Sequence, residues 1–379
     1  MYVGITTVHM SLCKNKYNDK TLANIDLVAS AFESRGNVVN KETYLKELLL
    51  LLRENNEKEK DIKACLEYAE NLMDLSLPVI FNKTHFSLLV GRDLYEITAI
   101  MSTLEINYYS TLQIPKKKGG NRKLLIPAMS LRLIQKWILK NILNNIPISD
   151  YANGFYKKRS IVTNAEKHIG KNCIINLDLK DFFPSITLEQ VFRIFYYYGY
   201  TKEISYLLAR LCTYNKALPQ GSPASPYISN IVCLKLDKRL SKLAITYKAN
   251  YTRYADDITF SGDYGIEKII NIAKDIIKEE GFKINNNKTR IAYKHERQEV
   301  TGLIISKNKI SVKKKYKKKL LQEIYYCKKY GVHSHLKHIK SQKAFYKDHM
   351  YGKAYFINMV DKDLGKRIIN ELDEINWES

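Results

Sequence analysis

Two aspartates stand side by side in Tyr254-Ala255-Asp256-Asp257, between the segments Tyr-Thr-Arg and Ile-Thr-Phe-Ser-Gly. Adjacent carboxylates at a hairpin tip repel each other by about 4 kcal/mol at ~4 Å when the effective dielectric is ~20. Such a pair is stable when water solvates it or when it holds a cation, and an ordinary Asp-rich turn would look the same. A third acid narrows the choice. Asp178 sits near the end of the apolar run Cys173–Leu179 (CIINLDL), where an unpaired carboxylate would be expensive to bury. Hard divalent cations such as Mg²⁺ take oxygen ligands and keep positions for water and substrate phosphates. In phosphoryl transfer with two such ions, one activates the attacking hydroxyl and the other stabilises the leaving pyrophosphate. Asp178, Asp256 and Asp257, carried by two neighbouring strands, would supply that site.

Those carboxylates need a scaffold, and the surrounding sequence provides one. Cys173–Leu179 reads as a short buried strand, and Tyr251–Ser261 as two short strands around Asp256-Asp257. The segment YYSTLQIPKKKGGNRKLLIP reads as a hairpin with a Lys-rich turn at Gly119-Gly120. A helix is predicted over Leu131–Leu143 with Leu133, Trp137 and Ile138 inward, and another long one from Ser225 to about Ile245. Thr187 and Gln190 form a capping-box pattern opening the helix that carries Val191, Ile194 and Phe195. Residues 1–75 read as helical, with one stripe at Tyr44, Leu45, Leu48, Leu49 and Leu52 and a second at Ile62, Leu66, Ala69 and Met73. Arg53–Lys60 separates the stripes as a solvated turn, and from Lys313 the chain is basic and helical. The order of these elements predicts a mixed α+β core without internal repeats.

Lys and Arg number 62 against 39 Asp and Glu, a net charge of +23 that attracts polyanions, of which nucleic acid is the commonest. A membrane-bound reading fits poorly, because the longest apolar candidate, Leu48–Leu52, is far too short to span a bilayer. The start, MYVGITTVHMSLCKNK, lacks the apolar core of a secretory signal. Cys13, Cys65, Cys173, Cys212, Cys233 and Cys327 are scattered without a C-x-x-C pair, which suits reduced thiols and argues against a zinc knuckle. A cytoplasmic protein is expected. The 28 tyrosines suit stacking on single-stranded bases. AT-rich codon usage would raise their number equally, so they decide nothing.

The ordered set NLDLKDFFPSI, LPQGSPASP, YTRYADDITFSG, INNNKTRI and VTGLIIS closely resembles the retron reverse transcriptases of bacteria. Asn164-Ala165-Glu166-Lys167-His168 is similar to their N-A-x-x-H element, and Val300-Thr301-Gly302 to their V-T-G element. The resemblance covers roughly residues 76–375. It implies a right-hand polymerase: an N-terminal helical extension over 1–75, interleaved fingers and palm with an antiparallel palm sheet over 76–310, and a basic helical thumb over 311–379. It implies an RNA-directed DNA polymerase with two Mg²⁺ ions on Asp178, Asp256 and Asp257. A structured non-coding RNA would serve as template and primer, and dNTPs as substrates. Synthesis would start from an internal RNA 2′-hydroxyl and give a branched RNA–DNA product, msDNA. A role in antiphage defence with a separate effector protein is implied as well.

Phe183 lies five residues beyond Asp178, where similar polymerases place an aromatic gate against the ribose 2′-hydroxyl, while Phe182 is expected in the core. Gly221 permits close backbone approach to a substrate, and Gln220 could hydrogen-bond the incoming sugar or a template base. Lys288 resembles the motif lysine near the triphosphate, able to neutralise charge or protonate pyrophosphate. Arg122 and Lys123 could clamp phosphates from the hairpin arm, or be solvated surface charges. Asn164, His168, Tyr254, Thr301 and Gly302 are candidate nucleic-acid contacts; a capping Asn with a structural His is the competing reading of the first two. The run KKKYKKKL, beginning with Lys313, Lys314 and Lys315, would grip RNA phosphates, with Leu320, Leu321 and Ile324 anchoring its helix. His333, His335 and His338 lack an acid or Cys partner at ligand spacing and read as a basic helical face. Two other functions stay open. One is a related defence polymerase or group II intron-like enzyme with another template or primer, although no room for maturase and endonuclease segments is seen before Ser379. The other is a nucleic-acid-bound scaffold that restrains an effector through residues 1–75.

Overall fold

Apolar stripes and short buried runs sort this chain into two units, one of residues up to Ile148 with Asp181–Leu234, the other of Ser149–Lys180 with Lys235 onward. The computed structural model describes residues 40–115, 119–340 and 344–378. Cys13, the first part of the predicted helical extension and Lys116–Lys118 of the predicted hairpin turn lie outside the described residues.

In the first unit, helices Lys41–Glu54 and Glu59–Asp74 pack through Tyr44, Leu48 and Leu52 on one and Ile62, Cys65, Ala69 and Leu72 on the other. These positions recur every three or four residues, so each helix buries one stripe. Asn40 starts the first helix by accepting the Glu42 amide at 3.1 Å. The predicted hairpin is present as strands β1 (Tyr109–Pro115) and β2 (Asn121–Pro127), paired antiparallel from Tyr109↔Pro127 to Pro115↔Asn121. The following helix runs Met129–Asn141 and buries Leu131, Ile134, Gln135 and Ile138. Leu133 is exposed rather than inward, and Trp137 is half-buried with its ring edge on Phe86. The inward face follows the 131, 134, 135, 138 spacing, and Leu133 lies off it. The capping box forms as expected: Thr187 Oγ1 accepts the Gln190 amide at 3.3 Å, and Gln190 Oε1 accepts the Thr187 amide at 2.9 Å.

The predicted long helix from Ser225 is two helices, Ser225–Val232 and Leu234–Thr246. The break falls at Cys233 (φ −80°, ψ 2°), a fully buried residue with no Pro or Gly beside it. Tertiary packing, and no local breaker, sets that boundary.

The second unit is built on a four-stranded antiparallel sheet. Strands β3 (Cys173–Asp178), β4 (Asn250–Tyr254), β5 (Asp257–Gly262) and β6 (Arg290–Tyr293) lie in the order β4-β5-β3-β6. β3 is central and buried along nearly its whole length, which accounts for its continuous apolar run. A smaller sheet joins β7 (Glu299–Val300), β8 (Leu303–Ile305) and β9 (Ile310–Ser311). Beyond it come helices Lys314–Tyr330, Val332–His338, Tyr346–Val360 and Lys362–Asp373. Leu320, Ile324, Met350, Ala354, Ile357, Ile368 and Leu372 share one core with Ile174, Val300 and Leu303, so these helices are fastened to the sheet that carries Asp178.

Candidate active site

Asp178 ends β3 and Asp257 begins β5, and the register makes them direct cross-strand partners. Directly opposed residues point to one face with Cβ atoms about 5 Å apart, so the pairing brings the two carboxylates together. Asp256 occupies the two-residue turn between β4 and β5, beside Ala255 at φ 56°. A left-handed residue that is not glycine costs about 1–2 kcal/mol, so the turn must be held by its surroundings. One restraint is the Leu179 amide donating to the Asp256 carbonyl at 3.0 Å, which ties the end of β3 to the turn. Another is the Asn285 amide donating to the Asp178 carbonyl at 2.8 Å, which brings in the Lys288 segment.

Lys288 Nζ donates to Asp178 Oδ2 at 2.7 Å. Burial pulls this ammonium's pKa down, but the hydrogen bond and charge of Asp178 outweigh it, and the net shift is upward. At Asp257 burial wins instead. Its tip reaches solvent, yet the protein packed around it, and then the charges of Asp256 and Asp178, raise its carboxyl from 3.8 to about 7. Three carboxylates whose charges act on one another face one ammonium and are short of positive charge, although among the described residues no three such side chains are already gathered closely enough to hold a metal ion. An all-oxygen donor set of this kind fits a hard divalent cation.

The family described as "Reverse transcriptase (RNA-dependent DNA polymerase)" matches residues 114–316. The retron Ec86 reverse transcriptase of Escherichia coli is 35% identical over 312 residues, covering 80% of this chain and 92% of that protein. The retron Mx162 reverse transcriptase of Myxococcus xanthus is 32% identical over 299 residues, covering 71% of this chain and 61% of that protein. This chain belongs to the retron-type reverse transcriptases. It is therefore an RNA-directed DNA polymerase, and the family implies a right-hand polymerase fold and divalent metal ions, typically Mg²⁺. Among the described residues of this reverse transcriptase, no helix is long and apolar enough to cross a membrane.

The first unit holds the other candidate substrate residues. Phe182 is buried, and Phe183 is half-buried with its ring centroid 5.4 Å from that of Phe182. The Gln220 carbonyl accepts the Leu125 amide at 2.8 Å, which lays the Leu218–Pro223 loop along β2. Gly221 has φ 138°, and a Cβ there would lie 2.2 Å from the Leu125 carbonyl oxygen, so only glycine fits. Arg122 and Lys123 are both exposed on β2, but adjacent strand residues project to opposite faces. Arg122 shares a face with its partner Ile114, and Lys123 shares the other with Gln113, so one bound phosphate group meets at most one of them.

Sequence reasoning missed Gln135. Its Nε2 donates to Tyr109 Oη and the Leu211 carbonyl, each at 2.8 Å, and its Oε1 accepts from Ser222 Oγ at 2.9 Å. This buried amide fixes the loop that presents Gln220 and Gly221. The available signal was a polar residue on an otherwise apolar helical stripe.

The structure joins the two retron-specific elements. Asn164 Nδ2 lies 3.5 Å from Thr301 Oγ1, which also donates to the Ile161 carbonyl at 3.3 Å. Asn164 and His168 are fully buried, so neither presents surface to nucleic acid in this conformation. The His168 ring is held between Ser261 Oγ at 2.7 Å and Thr252 Oγ1 at 2.8 Å, bridging β5 and β4. Thr301 and Gly302 form the β7–β8 turn at φ 46° and 86°. Tyr254 is half-buried beside Phe155. Lys313 pairs with Glu299 at 2.5 Å, whereas Lys314 and Lys315 are exposed. His335 is buried near Tyr326 and Tyr346, while His333 and His338 face outward.

Proposed function

We propose that this reverse transcriptase copies a cognate structured non-coding RNA into single-stranded DNA, beginning at an internal 2′-hydroxyl of that RNA and leaving branched msDNA. The carboxylate cluster, with Asp178 opposite Asp257 and Asp256 beside it, carries the polymerase reading. The pairing of Asn164 with Thr301 supports the retron reading, because it gives the N-A-x-x-H and V-T-G elements one shared location. Residues 1–75 act as an N-terminal extension, 76–310 as interleaved fingers and palm, and 311–379 as a thumb. The enzyme works in the cytoplasm, in antiphage defence, with a separate effector protein.

Asp178, Asp256 and Asp257 would hold two Mg²⁺ ions. When bound, these ions supply activation of the attacking hydroxyl and neutralisation of the charge on pyrophosphate. The attacking hydroxyl oxygen bonds to the dNTP α-phosphorus, the bond from that phosphorus to the bridging oxygen breaks, pyrophosphate leaves, and the hydroxyl proton passes to solvent water. Lys288 neutralises or protonates the leaving pyrophosphate. The Phe183 ring excludes a ribose 2′-hydroxyl, and Gln220 with Gly221 receives the incoming sugar or the template base. Arg122 or Lys123 contacts phosphate from the hairpin arm. Asn164, His168, Thr301 and Gly302 shape a nucleic-acid contact through the backbone they fix, while Tyr254 and the Lys313–Lys315 run touch nucleic acid directly.

The test uses nucleic acid from cells expressing the protein with its native flanking DNA, beside an Asp256→Asn/Asp257→Asn double variant. A short, abundant DNA that the variant lacks, and that shortens after RNase or debranching treatment, is the expected result. DNA that depends on both aspartates but carries no RNA branch would point to a different primer or template. Absence of any such DNA would favour a scaffold that restrains an effector.

A further inference from the structure

Arg253, two residues before the turn that carries Asp256, is fully buried. Its guanidinium donates from Nε to Asp237 Oδ1 and from Nη2 to Asp237 Oδ2, each at 2.7 Å. Its remaining arm, Nη1, donates to the Ala255 carbonyl at 3.2 Å. Asp237, on the helix Leu234–Thr246, also accepts from Tyr251 Oη at 2.6 Å, and neither charged side chain has any solvent exposure. The backbone is held as well. The Arg253 amide donates to the Tyr151 carbonyl at 2.9 Å, and its carbonyl accepts the Asn153 amide at 2.7 Å. That segment leads into Gly154, where a Cβ would lie 2.9 Å from the Ala255 nitrogen. Ala255, the left-handed residue of the turn, is thus held at its carbonyl by Arg253, and its nitrogen lies where any side chain on residue 154 would collide with it.

A buried ion pair is a poor way to stabilise a core, because desolvation offsets most of its attraction. What it supplies here is direction: a planar fork locked on a carboxylate can aim its third donor at one carbonyl. We propose that the Asp237–Arg253 pair is a positioning device for catalysis. It clamps Ala255 and so sets the direction in which Asp256 and Asp257 leave the turn. This rests on reading those aspartates as the metal site.

The experiment compares the full chain with Asp237→Leu/Arg253→Met, Asp237→Leu alone and Arg253→Lys. Readouts are the melting temperature, Mn²⁺ affinity from the free-ion electron paramagnetic resonance signal, and kcat and KM for dNTP. Asp237→Leu alone strands a buried charge and should melt well below the parent. The double variant removes both charges and should recover most of that melting temperature. It should still bind Mn²⁺ about tenfold or more weakly and lose kcat more than it raises KM, as expected when preorganised geometry is lost. Parental Mn²⁺ affinity and kcat in a folded double variant would overturn the proposal and leave the pair a core feature only. If the double variant does not fold, Arg253→Lys decides, since lysine can face Asp237 but cannot also reach Ala255. Weakened Mn²⁺ binding is then expected, and parental affinity overturns the proposal. An Asp256→Asn/Asp257→Asn control separates the two claims: if it retains parental Mn²⁺ binding, the metal-site reading itself has failed.

Discussion

Acidification should destabilise this enzyme through one identifiable ring. His168 is fully buried between two hydroxyls, and burial, with a smaller contribution from the charge of Lys167, lowers its pKa from 6.5 to about 3. A depressed value means that the folded state binds the proton less readily than the unfolded state. The stability tied to the neutral ring is therefore complete above pH 6.5 and is lost as pH falls towards 3. For these two values the loss is about 2 kcal/mol at pH 5 and approaches roughly 5 kcal/mol below pH 3. His168→Gln keeps an amide that can meet Ser261 and Thr252 but does not titrate. At pH 7 the variant should be less stable by roughly 1–3 kcal/mol, from imperfect hydrogen bonding in a buried site. Urea unfolding followed by circular dichroism at pH 7 and pH 5 gives the comparison. The parent's advantage over the variant should shrink by about 2 kcal/mol across that interval. Parallel pH dependence in the two proteins would refute a neutral, buried ring that clamps β4 to β5.

Gly221→Ala forces a Cβ against the Leu125 carbonyl at a φ that suits glycine. It should cost about 1–3 kcal/mol in thermal unfolding and raise KM for dNTP, and an unchanged KM would separate this loop from the substrate. Phe183→Val should lower the dNTP-to-rNTP ratio of kcat/KM by about tenfold or more in primer-extension assays, while a preserved ratio would remove Phe183 as the gate. Replacing Lys314 and Lys315 with Gln should reduce the salt dependence of RNA binding by about 1.4–1.8 in log–log slope. Lys313→Gln should change it less, because Lys313 is paired with Glu299, and an equal effect would show that this pair opens on binding.

The residues proposed to do the chemistry could be singled out in the sequence because their requirements are local. Asp178 stands at the end of a buried strand, Asp256 and Asp257 at a hairpin tip, and each carries its chemical meaning in neighbouring residue types. Helix starts such as Thr187-Gln190 were legible for the same reason, since a cap and its partner are three residues apart. Other features depend on partners far along the chain. Lys288 meets Asp178 across 110 residues, and His168 meets Ser261 across 93. The break at Cys233 and the outward turn of Leu133 answer to packing rather than to local propensity. Arg253 read only as part of a motif, until the fold brought Asp237 against it and aimed its third donor at Ala255. Sequence alone singled out the groups proposed to hold metal and move phosphate. Tertiary structure decided how the turn bearing two of them is held, because that depends on buried polar partners whose burial exists only once the chain has folded.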